Sequence, residues 1–149
     1  MKTNKVNVLE KLHAQACEAG QRQAAVLSQT QDQYRHALKL LSELQAHAIA
    51  YQQRQRDRDA GGVAWGEAQA MRNFITTLRT AVAAQRVEVN RLQGLLDEQT
   101  RAWTTTRQRT KALESLLAKR RSKALATQRL REQAELDDWL LHQASRRAA

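Results

Sequence analysis

The stretch RQRDRDAGGVAWGEAQ, residues 54–69, interrupts a chain that otherwise has the composition of continuous helix. It contains Gly61 and Gly62, which can adopt the positive φ that a sharp turn requires. The 149 residues include no proline, so no other position forces a helix to break. The apolar pattern before the glycines mirrors the pattern after them. We therefore predict an all-α fold, a long two-helix antiparallel coiled-coil hairpin that turns near Gly61-Gly62.

Composition favours a coiled coil over a globular core. Aromatic residues make up 4% of the chain and its mean hydropathy is −0.70. Such a sequence buries a stripe along each helix rather than a compact interior. We expect one coiled-coil domain over residues 1–149, with the first helix at about 4–58, the turn at about 59–66 and the second helix at about 67–144. No secretory signal or membrane span is evident, which predicts a cytoplasmic protein.

A heptad pattern is clearest in the second half of the chain. Alternating steps of three and four residues are the repeat of a coiled coil. Taken from Ile75, they select mostly large aliphatic residues: Ile75, Leu78, Val82, Gln85, Val89, Leu92, Leu96, Gln99, Trp103, Thr106, Thr110, Leu113 and Leu117. The same stepping in the first half selects smaller ones: Val6, His13, Cys17, Gly20, Ala24, Leu27, Tyr34, Leu38, Leu41 and Ala48.

The two sets of positions interlock when the residue numbers of a facing pair add to about 123. This register places Trp103 opposite Gly20, and we predict that the glycine makes room for the indole. It places Val6 opposite Leu117, so everything beyond Leu117 overhangs the first helix. In the turn, Trp65 is predicted to staple the start of the second helix, with an exposed anchor for a partner as the alternative.

The overhang has the densest positive charge in a chain of net charge +10. Six basic residues occur there with no acid between them: Lys119, Arg120, Arg121, Lys123, Arg129 and Arg131. A basic helical rod could bind nucleic acid through phosphates. The other Lys and Arg residues are spread along both helices, as on a solvated coiled-coil surface. We therefore expect no nucleic-acid partner and favour a basic tip that enters an acidic protein cavity.

Motifs for catalysis or ligand binding are nearly absent. The turn sequence GGVAWG lacks the Lys-Ser/Thr pair of a phosphate-binding loop. The four histidines have no second ligand at a spacing typical of metal sites. We expect a protein that is not an enzyme and has no catalytic residues, cofactor or metal.

The segment AMRNFITTLRTAVAAQR, residues 70–86, carries a family resemblance. Supporting segments are LLSELQAHAIAYQQ at residues 40–53, the glycine turn with a nearby tryptophan, and Ala-Glu-Leu-Asp-Asp at residues 134–138. In this order they resemble the flagellar FliJ family. That family is the coiled-coil component of the flagellar type III export apparatus and is similar to the two-helix coiled coil of the rotary ATPase γ subunit.

The resemblance implies a non-enzymatic stalk, peripheral to the inner face of the cell membrane. It would bind the hexameric flagellar export ATPase, promote its assembly and activity, and link it to the export gate protein FlhA. Export chaperones are further implied partners. The resemblance also implies a gate-binding stripe: Leu44, His47, Tyr51, Phe74, Leu78, Ala81 and Gln85. Within it, His47 and Gln85 depart from the family's Tyr and His.

The same resemblance implies that the end of the hairpin with both termini enters the ATPase ring. The basic cluster of the overhang is our hypothesis for that contact. Two alternatives remain open at this point: the equivalent stalk of a virulence-type III secretion injectisome, and an unrelated basic coiled coil that binds nucleic acid or scaffolds a complex. For the stripe, Phe74 and Ala81 are expected at g positions beside the seam, where they meet a partner or merely widen the core.

Overall fold

Two long α-helices make up the computed structural model, which describes residues 2–62 and 64–148. Helix α1 is Lys2–Gly61 and helix α2 is Trp65–Ala148. The two helices pack against each other, and no strand occurs in the described residues. The predicted all-α helical hairpin is confirmed.

The turn between the helices is shorter than the predicted 59–66. Helix α1 continues through Gly61, and α2 already begins at Trp65. Gly62 has a φ of +75°, the left-handed conformation that commonly ends a helix. The Ala68 N–H donates to the Ala64 carbonyl at 3.1 Å as α2 starts. Trp65 is 79% exposed, so the prediction that it staples α2 is wrong.

The seam of α2 follows the predicted heptads from Ile75 to Leu117. All thirteen predicted positions from Ile75 to Leu117 are buried or half-buried. Leu92 is the most buried of them at 2% exposed, and Ile75 and Leu117 are exposed by 4% and 5%. Large aliphatic side chains define this face because their burial dominates the energy of helix packing.

The seam of α1 differs from the prediction at two of its ten positions, Ala24 and Leu38, which are exposed. Gln23 is half-buried and Ala37 is buried, one residue before the predicted Ala24 and Leu38. Ala16 and Thr30 are also buried, although neither was predicted. Leu38 is 40% exposed. The Thr30 hydroxyl donates to the Val26 carbonyl at 3.1 Å, which satisfies the buried polar group. The α1 seam is therefore built from smaller and more polar residues than hydrophobicity predicts.

The register of the two helices is shifted by about three residues from the prediction. Ala37 packs with Val89 in one buried cluster, which Tyr34 and Leu41 border. A Cβ built at Gly20 would lie 3.7 Å from the Thr106 methyl group. Both pairs have residue numbers that add to 126 rather than 123. Because seam positions alternate by three and four, a slip of three residues again places seam on seam, and the pattern alone does not exclude it.

The neighbour of Gly20 is therefore Thr106, and the prediction that Gly20 makes room for Trp103 is wrong. At 3.7 Å the contact is an ordinary van der Waals distance, so an alanine fits at position 20 without displacing Thr106.

The helices divide into two compact units. One is residues 22–103, a helical hairpin around the turn. The other combines residues 1–21 of the N-terminal part with residues 104–149 of the C-terminal part. In this second unit Leu117 is buried, and Arg121 Nη2 donates to Glu10 Oε1 at 2.9 Å. Helix α2 thus contacts α1 at least as far as Arg121, beyond the predicted limit of Leu117. The shifted register accounts for the difference.

Candidate partner-binding surface

An exposed aromatic pair lies on one edge of the hairpin unit, residues 22–103. Tyr51 of α1 and Phe74 of α2 pack with their ring centroids 4.7 Å apart and their planes at 64°. Edge-to-face packing of this kind leaves part of each ring accessible. Phe74 is 45% exposed and Tyr51 is half-buried. The two helices therefore present one continuous aromatic surface, to which each contributes a ring.

A cation extends this surface along α1. The Arg54 guanidinium carbon lies 5.2 Å from the centroid of the Tyr51 ring, a cation–π distance. Sequence reasoning missed Arg54, although its position three residues after Tyr51 places both side chains on one helix face. We call the set His47, Tyr51, Arg54, Phe74 and Ala81 the aromatic edge.

The seven residues of the predicted stripe do not all reach the surface equally. Leu44, Leu78 and Gln85 occupy seam positions and are half-buried. The Gln85 side-chain N–H donates to the Ala37 carbonyl at 3.0 Å, so that donor is engaged between the helices. His47 is exposed and Ala81 is half-buried. Within the predicted stripe, His47 and Phe74 are thus the exposed residues, and Tyr51 and Ala81 are half-buried.

An ion pair follows one heptad after Ala81 on α2. Arg91 donates to both carboxylate oxygens of Glu88, at 2.7 and 2.9 Å. These hydrogen bonds lower the pKa of Glu88 below its usual value, desolvation opposes them in part, and the positive charge of Arg91 lowers the pKa further. The carboxylate is therefore ionised at neutral pH, and the edge ends in a paired acid.

The opposite edge of the same unit has different chemistry. A shallow groove of about 430 Å³ is lined there by aliphatic and polar side chains: Gln45, Ala48, Ile49, Gln52, Arg79, Val82, Ala83 and Arg86. Ile49 is 62% exposed. The Gln52 amide, oriented with its oxygen toward the guanidinium, accepts from Arg79 Nη2 at 2.8 Å. This edge contains no aromatic ring, and it provides a matched control for the aromatic edge.

The predicted basic cluster lies in the second unit and divides into two parts. Arg121 is paired with Glu10, and Arg120 is half-buried beside a shallow cavity of about 400 Å³ lined with Asn4, Lys5, Val8 and Leu9. The remaining four residues, Lys119, Lys123, Arg129 and Arg131, are exposed. Two of the six predicted residues therefore lie beside α1, and the other four have no such neighbour among the contacts described.

A family model now identifies the chain. The model described as "Flagellar FliJ protein" matches residues 5–149. The chain belongs to the FliJ family. It is accordingly a component of the flagellar protein export apparatus, with a coiled-coil helical architecture. No curated protein and no solved structure matches it.

The FliJ family match bears on the alternatives that the sequence left open. Its description is flagellar, which favours the flagellar apparatus over an injectisome. Within residues 2–62 and 64–148, no helix of this FliJ-family chain is long and apolar enough to cross a membrane. Nor does that part of the chain hold a group of three or more His, Cys, Asp and Glu residues that could bind a metal ion.

Proposed function

We propose that the chain is a non-enzymatic stalk of the flagellar export apparatus that links the hexameric export ATPase to the export gate. The observation that carries the proposal is the exposed Tyr51–Phe74 pair on a helical hairpin of the FliJ family. Export chaperones are further proposed partners, and nucleic acid is not. Membrane association is proposed to be peripheral and to occur only through the apparatus.

The aromatic edge has the properties of a protein-binding surface. Tyr and Arg are among the residues that contribute most to protein interfaces, and aromatic rings carry a large apolar area with few rotatable bonds. Arg54 is already oriented by the Tyr51 ring, and Tyr51 by Phe74. This order before binding reduces the entropy lost in the complex. We propose that the linker of the gate protein FlhA binds here.

The exposed basic residues of the second unit support a separate contact. Lys119, Lys123, Arg129 and Arg131 project from a helix that continues beyond its α1 partner. Long basic side chains of this kind are attracted to an acidic cavity over about a Debye length, roughly 8 Å at physiological salt. We propose that this end enters the ATPase ring and promotes its assembly and activity.

Binding to the gate linker tests the aromatic edge. Phe74→Ala and Tyr51→Ala are each expected to weaken binding by about tenfold or more in calorimetry, as for a truncated hot-spot residue. Ile49→Ala on the opposite edge is the matched control, because it removes an exposed apolar side chain from the same unit. We expect less than about a twofold change for it. Equal weakening by all three variants would contradict the assignment of the edge.

Hydrolysis by the export ATPase tests the basic end. The combined change Lys119→Gln, Lys123→Gln and Arg131→Gln is expected to remove most of the stimulation that the full chain gives. The control is Arg56→Gln, Arg58→Gln and Arg72→Gln near the turn, which removes the same number of exposed positive charges. Stimulation that depends only on net charge would fall equally in both sets and would argue against a specific contact.

A further inference from the structure

The C-terminal part of α2 has an apolar stripe that no residue of α1 covers in the described chain. Leu125, Leu136, Trp139 and Leu140 are exposed by 50%, 56%, 56% and 51%. Positions 122, 125, 129, 132, 136 and 139 alternate by three and four residues, so they share one helix face. On this face Leu125, Leu136 and Trp139 are apolar and Ser122, Arg129 and Glu132 are polar, and Leu140 lies beside it. The seam toward α1 follows different positions, Leu113, Leu117 and Arg120. This stripe is therefore a second face of the helix.

Charge on the same segment is divided into two blocks. Residues 119–131 carry six positive charges and no negative one. The next seven residues carry only acids among their charged side chains: Glu132, Glu135, Asp137 and Asp138. All four acids are exposed. A basic block followed directly by an acidic block is complementary to a second copy of itself in the antiparallel direction, whereas a parallel copy would place like charges together.

One antiparallel register brings apolar residues of the stripe together and also places opposite charges next to each other. When residue numbers in the two copies add to 261, Leu125 faces Leu136 of the second copy and Ser122 faces its Trp139. In the centre, Arg129 faces Glu132 of the second copy, and beside it Lys123 faces Asp138. Each pair occurs twice because the arrangement has two-fold symmetry. Every stripe position from 122 to 139 then meets a stripe position.

We propose that residues 122–139 form an antiparallel homodimer contact between two copies of this chain. The two-fold axis passes between residues 130 and 131. The leucines and Trp139 supply the buried area, and the Arg129–Glu132 pairs fix direction and register. The inference does not depend on the proposed partners of the export apparatus.

The contact is small and its charges lie near water, so it is weak and sensitive to salt. Interfaces below about 1,200 Å² in total are typically transient. Ion pairs at such a contact are screened as ionic strength rises. The dimer population therefore depends on protein concentration and falls with added salt.

Sedimentation equilibrium of the full chain over roughly a hundredfold range of concentration measures the contact. We expect a monomer–dimer equilibrium. Leu136→Ala combined with Trp139→Ala is expected to weaken dimerisation by about tenfold or more. Trp65→Ala is the control, because Trp65 is 79% exposed near the turn and lies outside the contact. It is expected to leave the dimerisation constant unchanged.

A charge-exchange experiment tests direction and register. The acidic copy carries Lys123→Glu and Arg129→Glu, and the basic copy carries Glu132→Lys and Asp138→Lys. In a dimer of either variant with itself, the exchanged residues would face like charges. Each variant alone is therefore expected to stay monomeric. An equimolar mixture pairs every exchanged residue with an opposite charge and is expected to form a heterodimer. Because an unfolded variant gains nothing on mixing, the restored heterodimer excludes misfolding as the cause of the loss.

Three results would overturn the proposal. The parent chain could remain monomeric at every concentration, both charge variants could dimerise as well as the parent, or the mixture could fail to restore association. If the parent stays monomeric while Leu136→Ala with Trp139→Ala lowers ATPase stimulation, the stripe is a surface for the ATPase and the homodimer is rejected.

Discussion

Helices α1 and α2 contribute unequally to the seam that they share. In α2 the seam carries Leu, Val and Ile at most positions, with Leu92 only 2% exposed. In α1 the buried positions include Ala16, Thr30, Ala37 and Ala48. In α2, large aliphatic residues lie on one helix face, so the heptad pattern can be recognised in the sequence. In α1, alanines occur on every face, so they do not indicate which face is buried. The difference teaches that the large side chains of α2 supply most of the energy of burial. The small side chains of α1 let the two helices pack closely.

The largest expected change in stability tests how much the α2 seam contributes to the free energy of unfolding. Leu92→Ala removes the most buried large side chain and leaves a cavity, so we expect a loss of about 3 kcal/mol in the free energy of unfolding. Leu116→Ala, also on α2 but 40% exposed, is the control and should cost less than about 1 kcal/mol. Chemical denaturation followed by far-UV circular dichroism measures both. Similar losses would mean that the seam does not dominate stability.

The next test decides which face of α1 is the seam. Ala37 is 6% exposed and packs with Val89 and Leu92. Ala37→Leu overfills this space, and we expect a loss of about 1–3 kcal/mol. Leu38→Ala should cost less than about 1 kcal/mol, because Leu38 is 40% exposed. Both variants are measured in the same denaturation experiment. A larger loss for Leu38→Ala than for Ala37→Leu would show that Leu38, as predicted from the sequence, lies in the seam.

Substitution of a polar residue in the α2 seam is expected to raise the free energy of unfolding instead of lowering it. The Gln99 side-chain oxygen is buried and has no hydrogen-bond partner in the described part of the chain. Gln99→Leu removes this unsatisfied group, and we expect about 1 kcal/mol of added stability. Gln85→Leu is the comparison, since it removes the hydrogen bond to the Ala37 carbonyl and should give little or no gain. Equal gains in thermal unfolding would show that the bond contributes nothing.

A smaller gain is expected at the glycine of the α1 seam. A Cβ at Gly20 fits beside Thr106, so Gly20→Ala should add roughly 0.5–1 kcal/mol through the lower entropy cost of helix formation. Gly62→Ala should lose stability by about 1 kcal/mol, because its φ of +75° strains an alanine. Melting temperatures of the two variants should shift in opposite directions. A loss at Gly20 would indicate that the helices lie closer there than the structure shows.

The smallest effect concerns an ion pair made within α2 alone. The pKa of Glu88 is lowered in the folded chain, so its contribution to stability is present above the unfolded pKa and is lost as pH falls through the folded pKa. Arg91→Gln should raise the pKa of Glu88 toward its usual value. A carboxyl NMR titration measures it. Because both partners lie on α2, Ala37→Leu in α1 should leave this pKa unchanged, and a shift would show coupling between the helices.

Sequence predicted the fold and the α2 seam but not the register. The hairpin followed from the glycine turn and the absence of proline, and Leu92 and Ile75 identified the α2 face by their size. The α1 face could not be chosen from Leu38 and Ala24, because burial there favours Ala37 and Gln23. With these α1 positions displaced by one residue, the register of the two helices differs from the prediction by about three residues. Where small residues form the contact between two helices, the register depends on how closely their side chains fit together. A hydrophobic pattern does not give that information.

The candidate site was predicted in outline. Tyr51 and Phe74 were named from the family resemblance, and the structure places their rings in contact. Two details of the site did not follow from the sequence. Arg54 stacks on Tyr51, and Gln85 donates to the Ala37 carbonyl rather than outward. Each depends on a side-chain rotamer, which sequence spacing restricts but does not determine.

The narrow seam has a consequence for how the chain responds to temperature. The chain exposes 11814 Å² to water, against roughly 7,700 Å² expected for a compact folded protein of its mass. Unfolding therefore releases less new apolar surface per residue, and the heat capacity of unfolding should lie below the usual ~12–15 cal/mol/K per residue. A low heat capacity flattens the curve of stability against temperature. The chain should keep nearly constant, modest stability over a wide thermal range and melt gradually.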